Sequence, residues 1–288
     1  MGLADLVPGV SGGTMAFIFG IYDKLISSIK TITSETMRFA FMFKIRKAWG
    51  TFPASFLLPL ALGMLVAIFV FANAVSYLLD TQALLIWSFF FGLIIGSVYL
   101  VKKRVIHWSY GRYLSLLSGA LLTFFLAGLT APQQFDSNLY LFFAGAIAFC
   151  AMILPGISGS LILILLGAYE TVLQAASDRN LIPLLFLAVG GFVGLGLFSR
   201  LLSWLLRHYH DIVVTFLIGL MIGSLRKIWP FRSESSSSSE ALTNYTQQNI
   251  LPESITQLFI ALVFAASAFI IIVKLEKAAN LSQTKTLK

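Results

Sequence analysis

Two short stretches hold the residues best able to do chemistry in this sequence. "PGVSGGT" (Pro8 to Thr14) and "PGISGS" (Pro155 to Ser160) set proline, glycine and hydroxyl side chains directly ahead of the apolar runs "MAFIFGIY" and "LILILLGAY". Glycine lets consecutive backbone N–H groups turn toward one point, and the first N–H groups of a helix have no intrahelical partner. Such a start suits an anion, best a phosphate or carboxylate. The donors would be Gly9, Ser11, Gly12, Gly13 and Thr14 in the first stretch, and Gly156, Ser158, Gly159 and Ser160 in the second. The hydroxyls can also cap the helices. Close helix packing through small residues is the alternative reading of either stretch alone.

Charged residues inside apolar sequence are the second resource, because lipid makes them costly and they tend to mark a pathway. Arg200, within "LGLFSRLLSWLL", is the candidate cation for a phosphate; an arginine snorkelling to the interface is the alternative. Asp5, Asp23 and Glu170 flank the two stretches and are candidates for taking protons or ions during coupling, although helix capping explains Asp23 and Glu170 as well. Arg226, Lys227 and Arg232 form a basic cluster that either caps a span or meets an anion. "HYH" (His208 to His210) has no carboxylate or thiol constellation around it, so no metal is expected, and nothing implies a cofactor. The single cysteine, Cys150, can form no internal disulfide and reads as a packing residue.

The elements that must position these residues are membrane helices. Hydrophobic residues make up 58% of the chain and charged residues 11%, against roughly 25% charged in soluble domains, and the mean hydropathy is +0.89. Six windows are apolar enough to cross a hydrocarbon core about 30 Å thick: Phe52 to Leu79, Leu84 to Val101, Tyr113 to Thr130, Pro183 to Leu206, Ile212 to Leu225 and Ile255 to Val273. The net charge of +8 is carried mostly in short loops between them. There Lys and Arg set orientation, so nucleic acid is not an expected partner. No removable signal peptide is expected at the N-terminus, and "SESSSSSE" (Ser233 to Glu240) reads as a linker.

The two stretches belong to a repeat. "PGVSGGTMAFIFGIYDKL" aligns without gaps to "PGISGSLILILLGAYETV", pairing Gly20 with Gly167, Tyr22 with Tyr169 and Asp23 with Glu170. A second block, at another offset, pairs Gly92, Gly96 and Ser97 with Gly219, Gly223 and Ser224, and Gly63 with Gly190; Asn73 is the repeat partner of Arg200. "GLIIG" and "GLMIG" read as helix contacts. The change of offset leaves extra residues near Lys30 to Thr51, a basic surface loop or amphipathic helix. The expected division is a first repeat over residues 1–131, a second over 132–273 and a basic tail over 274–288. An odd number of crossings separates the two motifs, so the repeats are expected to be inverted. Each would begin with a re-entrant or broken helix hairpin followed by transmembrane helices, in an all-α polytopic integral membrane protein. Secondary transporters are built so, with the substrate at the helix breaks.

"MGLADLVPGVSGGTMAFIFGIYD" and "CAMILPGISGSLILILLGAYE" resemble the two signature stretches of the bacterial polyprenyl-phosphate transporter family, PopT type, and the resemblance runs over essentially the whole chain. It implies a multi-pass protein of the bacterial cytoplasmic membrane that returns undecaprenyl phosphate across it for cell-wall glycan synthesis, with the lipid phosphate and the membrane lipids as partners. Oligomerisation is left open. Family members carry a lead-in before the first motif, whereas Met1 to Val7 alone precede it here, so the first hairpin is expected to lack its incoming arm. One rival is an intramembrane polyprenyl pyrophosphate phosphatase, which the resemblance to that family would equip with an arginine where Gly12 and Gly159 stand. No catalytic acid–base constellation is evident, so a transporter is expected and not an enzyme. A secondary transporter of a small organic anion would use the same residues.

Overall fold

The computed structural model describes residues 1–2, 11–128, 137–232 and 249–286. Among the described residues the regular elements are helices, and the one β feature is an isolated bridge between Arg232 and Asn249. In chain order they are α1 (Gly12–Ile18), α2 (Tyr22–Thr31), a π-helical turn (Ile32–Thr36), α3 (Met37–Phe41), α4 (Ile45–Thr51), α5 (Ala54–Thr81), α6 (Ala83–Lys102) and α7 (Tyr110–Leu126). There follow α8 (Asn138–Ile153), α9 (Gly159–Leu165), α10 (Tyr169–Ser177), α11 (Leu181–His208), α12 (His210–Ser224) and α13 (Ile255–Thr286).

Among the described residues, four helices are long and apolar enough to cross a membrane: α5, α6, α11 and α13, with a fifth span if the bent pair α9 and α10 counts as one. The chain is therefore a multi-pass membrane protein. Hydropathy alone suggests six spans, and the difference lies in α7 and α12, which have 17 and 15 residues. At a rise of about 1.5 Å per residue these reach roughly 22–26 Å, short of a ~30 Å core. The apolar windows run on past Leu126 and Ser224, where the backbone has already left the helix for a turn. The Lys30 to Thr51 stretch is helical, with the π-helical turn in it. Ahead of that turn α2 is amphipathic: Tyr22, Leu25, Ile26 and Ser28 are buried while Asp23, Lys24 and Ser27 are exposed.

The chain divides into two compact units, Met1–Phe69 with Ala131–Val213, and Val70–Thr130 with Val214–Lys288. Each joins an earlier segment of the chain to a later one, a different division from the repeat halves. In the first unit α11 lies on α8 with the backbones almost touching. A Cβ added at Gly190 would fall 1.9 Å from the Phe142 carbonyl oxygen, and one at Gly194 would fall 2.4 Å from that of Ala146. Lipid tails supply no hydrophobic drive between helices, so this close van der Waals approach is what holds the pair. Contacts that advance together along both chains make α8 and α11 parallel.

Parallel α8 and α11 require the intervening chain to come back. It does so through α9, whose first residue, Gly159, packs against Met152 near the end of α8. Its far end joins Leu163 and Leu166 to a buried cluster of Leu141, Ala144 and Ala168, with Tyr140 alongside. The Tyr140 hydroxyl donates to the Leu166 carbonyl, fastening the C-terminal end of α9 to the start of α8. The axis then bends by 108° into α10. Gly167 makes the bend with φ of 65°, and its repeat partner Gly20, between α1 and α2, has φ of 69°; this left-handed backbone favours glycine.

In the second unit α6 lies on α13, where a Gly92 Cβ would meet the Ala265 carbonyl oxygen at 2.0 Å and a Gly96 Cβ the Ile272 side chain at 2.6 Å. Likewise α7 lies on α12: a Cβ at Gly119 would come within 2.3 Å of the Phe216 carbonyl oxygen, and one at Gly223 within 2.4 Å of that of Ala120. "GLIIG" and "GLMIG" are thus the faces through which these helices meet.

Candidate functional site

The two glycine motifs come together in the first unit. Ser11 is the N-cap of α1, with extended backbone and an Oγ that accepts the Gly13 N–H at 3.1 Å. Ser158, its repeat partner, stands at the N-cap position of α9 in the same extended conformation without a side-chain capping bond, and its Oγ lies 2.7 Å from that of Ser160. Gly156, at φ of 86°, aims its N–H across the sequence to the Thr14 Oγ1, 3.0 Å away. On the same seam Gly13 presses on the end of α8, where an added Cβ would stand 2.6 Å from the Ile153 carbonyl oxygen. Ser11 and Thr14 are buried, while Ser158 and Ser160 are half-buried.

This arrangement gathers helix starts and hydroxyls from two segments 142 residues apart. Gly12, Gly13 and Thr14 open one helix and Gly159 and Ser160 open the other, so amide donors and hydroxyls of opposite halves are held within one small region. Part of the hydroxyl set is spoken for internally: Thr14 accepts from Gly156, and Ser11 caps its own helix. The half-buried pair Ser158 and Ser160 is the more accessible. Gly9 and Asp5, with the residues ahead of the first motif, lie outside the described residues.

Arg200 is placed differently. From α11 its guanidinium donates to the Thr33 carbonyl at 3.1 Å, in the π-helical turn, one helical turn beyond the point where Gly196 packs on the Thr33 side chain. Single π turns inside helices recur at functional positions, and this one gives the arginine a fixed seat on the Thr33 carbonyl. Asp23 and Glu170 sit in the first turns of α2 and α10, where a carboxylate complements the N-terminal dipole. Tyr22 shows the repeat diverging: wholly buried, it sets its ring edge-on to Phe17 at 4.9 Å, and its hydroxyl has no partner among the described residues, whereas Tyr169 is half-buried.

The remaining polar features lie outside the two motifs. His208 Nδ1 lies 2.9 Å from the Trp204 carbonyl, and His210 Nδ1 lies 3.3 Å from the Asp211 carboxylate. In the second unit the Arg226 guanidinium donates to the Phe124 carbonyl at 2.9 Å and lies over the Phe124 ring, so it closes the end of α7. Lys227 is pushed down to about 8, by burial first and the Arg232 charge second. Burial also pushes Arg232 down, to about 10. Sequence reading passed over Thr33 and Tyr140: each acts through a partner far along the chain, and neither stands in a motif.

The fold and the paired motifs define a polytopic helical membrane protein with two interlocked serine–glycine helix starts. The chain belongs to the undecaprenyl phosphate translocase-like family, whose model matches residues 1–246. It is 41% identical over 97% of its length to a polyprenyl-phosphate transporter of Vibrio cholerae, covering 94% of that protein. To a polyprenyl-phosphate transporter of Staphylococcus aureus it is 32% identical over 80% of its length, covering 83% of that protein. No solved structure matches.

Proposed function

We propose that this protein carries polyprenyl phosphate, with undecaprenyl phosphate as the natural cargo, from the outer to the inner leaflet of the bacterial cytoplasmic membrane, returning the carrier for cell-wall glycan synthesis. The observation that carries the reading is the Thr14–Gly156 junction, which brings both glycine motifs to one place, in a chain of this family. The phosphate would be bound by the amides and hydroxyls of Gly9, Ser11, Gly12, Gly13, Thr14, Gly156, Ser158, Gly159 and Ser160. Arg200 would meet it at another stage of the cycle, and the isoprenoid tail would stay in lipid. Asp5, Asp23 and Glu170 would take the coupling ion or proton.

The repeats over 1–131 and 132–273 would be inverted, each opening with a re-entrant hairpin. The parallel course of α8 and α11 and the 108° bend between α9 and α10 support a hairpin in the second half. The matching left-handed glycines, Gly20 and Gly167, extend that support to the first. Non-helical backbone at such breaks needs protein or water to satisfy it, and the Gly156 N–H finds the Thr14 hydroxyl. The protein would bind and move the phosphate without cleaving it.

The test is reconstitution in liposomes with labelled undecaprenyl phosphate in one leaflet, reading leaflet exchange and phosphate release separately. Exchange without release is the expected result. Release of phosphate from the pyrophosphate form would establish the phosphatase instead. Uptake of a small organic anion with no lipid exchange would establish the third reading.

A further inference from the structure

The second unit has a cavity that transport does not account for. The touching residues Gly92 and Ala265 stand nine and ten positions after the starts of α6 at Ala83 and α13 at Ile255. The two parallel helices therefore begin at one level. Both are long enough to span, so that level is where a span leaves the hydrocarbon for the headgroups. A cavity of about 630 Å³ opens there, with Leu84 and Trp87 of α6, Arg232, and Ile250, Glu253 and Gln257 ahead of and within the first turn of α13 on its wall.

Its arginine is held in place. The Arg232 guanidinium lies on the Trp87 ring, 4.0 Å from the centroid, while Nε donates to the Trp229 carbonyl at 3.2 Å and Nη2 to the Lys227 carbonyl. The Gln257 side chain accepts the Glu253 backbone N–H at 3.3 Å, and the Gln257 backbone N–H donates to the Ser254 hydroxyl at 3.2 Å, a capping arrangement that fixes the backbone from which Glu253 projects. Trp229 donates from its indole to the Ile250 carbonyl at 2.9 Å and ties the two walls together. A guanidinium seated partly out of water gains from an anion beside it. A bare anion in this cavity would also face the Glu253 carboxylate, and a bare cation would face Arg232. A ligand bearing both signs a few ångströms apart avoids either conflict, and the apolar wall suits an aliphatic continuation.

We propose that this cavity seats the headgroup of a zwitterionic aminophospholipid, its phosphate on Arg232 and its ammonium on Glu253, with the acyl chains in the surrounding bilayer. The cavity shares no lining residue with the serine–glycine motifs, and the proposal concerns a resident lipid and not the cargo.

Native mass spectrometry of the full-length protein, delipidated in detergent and given phosphatidylethanolamine or phosphatidylglycerol, tests it. Wild type should retain phosphatidylethanolamine about tenfold better, a difference of ~1.4 kcal/mol. Glu253→Gln, on the approach to α13, should bind the two lipids alike; Arg232→Gln should lose both, with helix content by circular dichroism as its folding control. Equal retention by wild type, or an undiminished preference in Glu253→Gln, would overturn the proposal. So would displacement by inorganic phosphate, which assigns the cavity to a free anion, or by polyprenyl phosphate at equal concentration, which assigns it to the cargo.

Discussion

The Gly156 amide and the Thr14 hydroxyl are joined at 3.0 Å across 142 residues. The bond is buried, and it lets one motif hold the other's backbone in the left-handed turn at φ of 86°. Thr14→Val keeps the shape and removes the acceptor, stranding a buried N–H, which costs about 1–3 kcal/mol. The variant should unfold at a lower temperature in detergent and exchange lipid more slowly, and Thr14→Ser should restore both. A valine variant as stable and active as wild type would remove the junction from the function.

Glycines of this protein should divide sharply when replaced. Gly156→Ala puts a side chain on left-handed backbone, at roughly 1–2 kcal/mol, and Gly13→Ala drives a methyl group to 2.6 Å from a backbone oxygen of α8. Both should lower the unfolding temperature. By contrast Gly50 and Gly63, in α4 and α5, have nothing within 4 Å of an added Cβ. Alanine there should be neutral or stabilise by up to about 1 kcal/mol. Thermal unfolding of the four purified variants checks the order.

Ser158→Ala and Ser160→Ala remove hydroxyls that cap no backbone amide here, so a phosphate role predicts slower exchange, by roughly tenfold, or ~1.4 kcal/mol, with little change in stability. Wild-type exchange would take them out of the site.

Arg200→Ala should also slow exchange without abolishing the fold. Arg200→Lys separates two roles, because a lysine can still reach the Thr33 carbonyl but cannot grip a phosphate by two nitrogens. Exchange by the lysine variant at the wild-type rate would mean the side chain serves only as a latch between α11 and the π-helical turn.

Lys227 predicts a pH dependence. Its amine ordinarily titrates at 10.5 and is held at about 8 in the fold. Between those values the unfolded chain binds more protons than the folded one, so stability should rise as pH increases through that window. The gain should be about 1–3 kcal/mol. Lys227→Met should be more stable than wild type at pH 7 and should show no such rise, as measured by thermal unfolding in detergent from pH 7 to 10.

Hydropathy located the long spans well because a run such as Leu181 to His208 announces itself locally. It overran α7 and α12 because Ala127, Leu225 and their neighbours are apolar in a turn as they would be in a helix. Self-comparison found the two motifs, and the extended serines at both N-cap positions and the left-handed glycines Gly20 and Gly167 are what that likeness means physically. It gave no sign that the motifs touch, nor that Arg200 reaches Thr33, 167 residues away. Partners so distant leave no local trace in composition or period. The basic cluster divides, because Arg226 ends on a helix carbonyl while Arg232 faces a cavity, and one run of like residues cannot reveal two surroundings.

The interleaving of the two compact units has a consequence for synthesis. The first cannot close when its opening segment emerges, because its other part, Ala131–Val213, follows only after Val70–Thr130. At about 5–20 residues per second, Gly13 and the hydroxyl of Thr14 leave the ribosome several seconds before Ile153 and Gly156, on which they pack and bond, exist. During that interval a nascent segment rich in backbone polarity has no place to settle in lipid. Translational pausing or an insertase that shelters it should therefore affect yield more strongly than any change to the long spans.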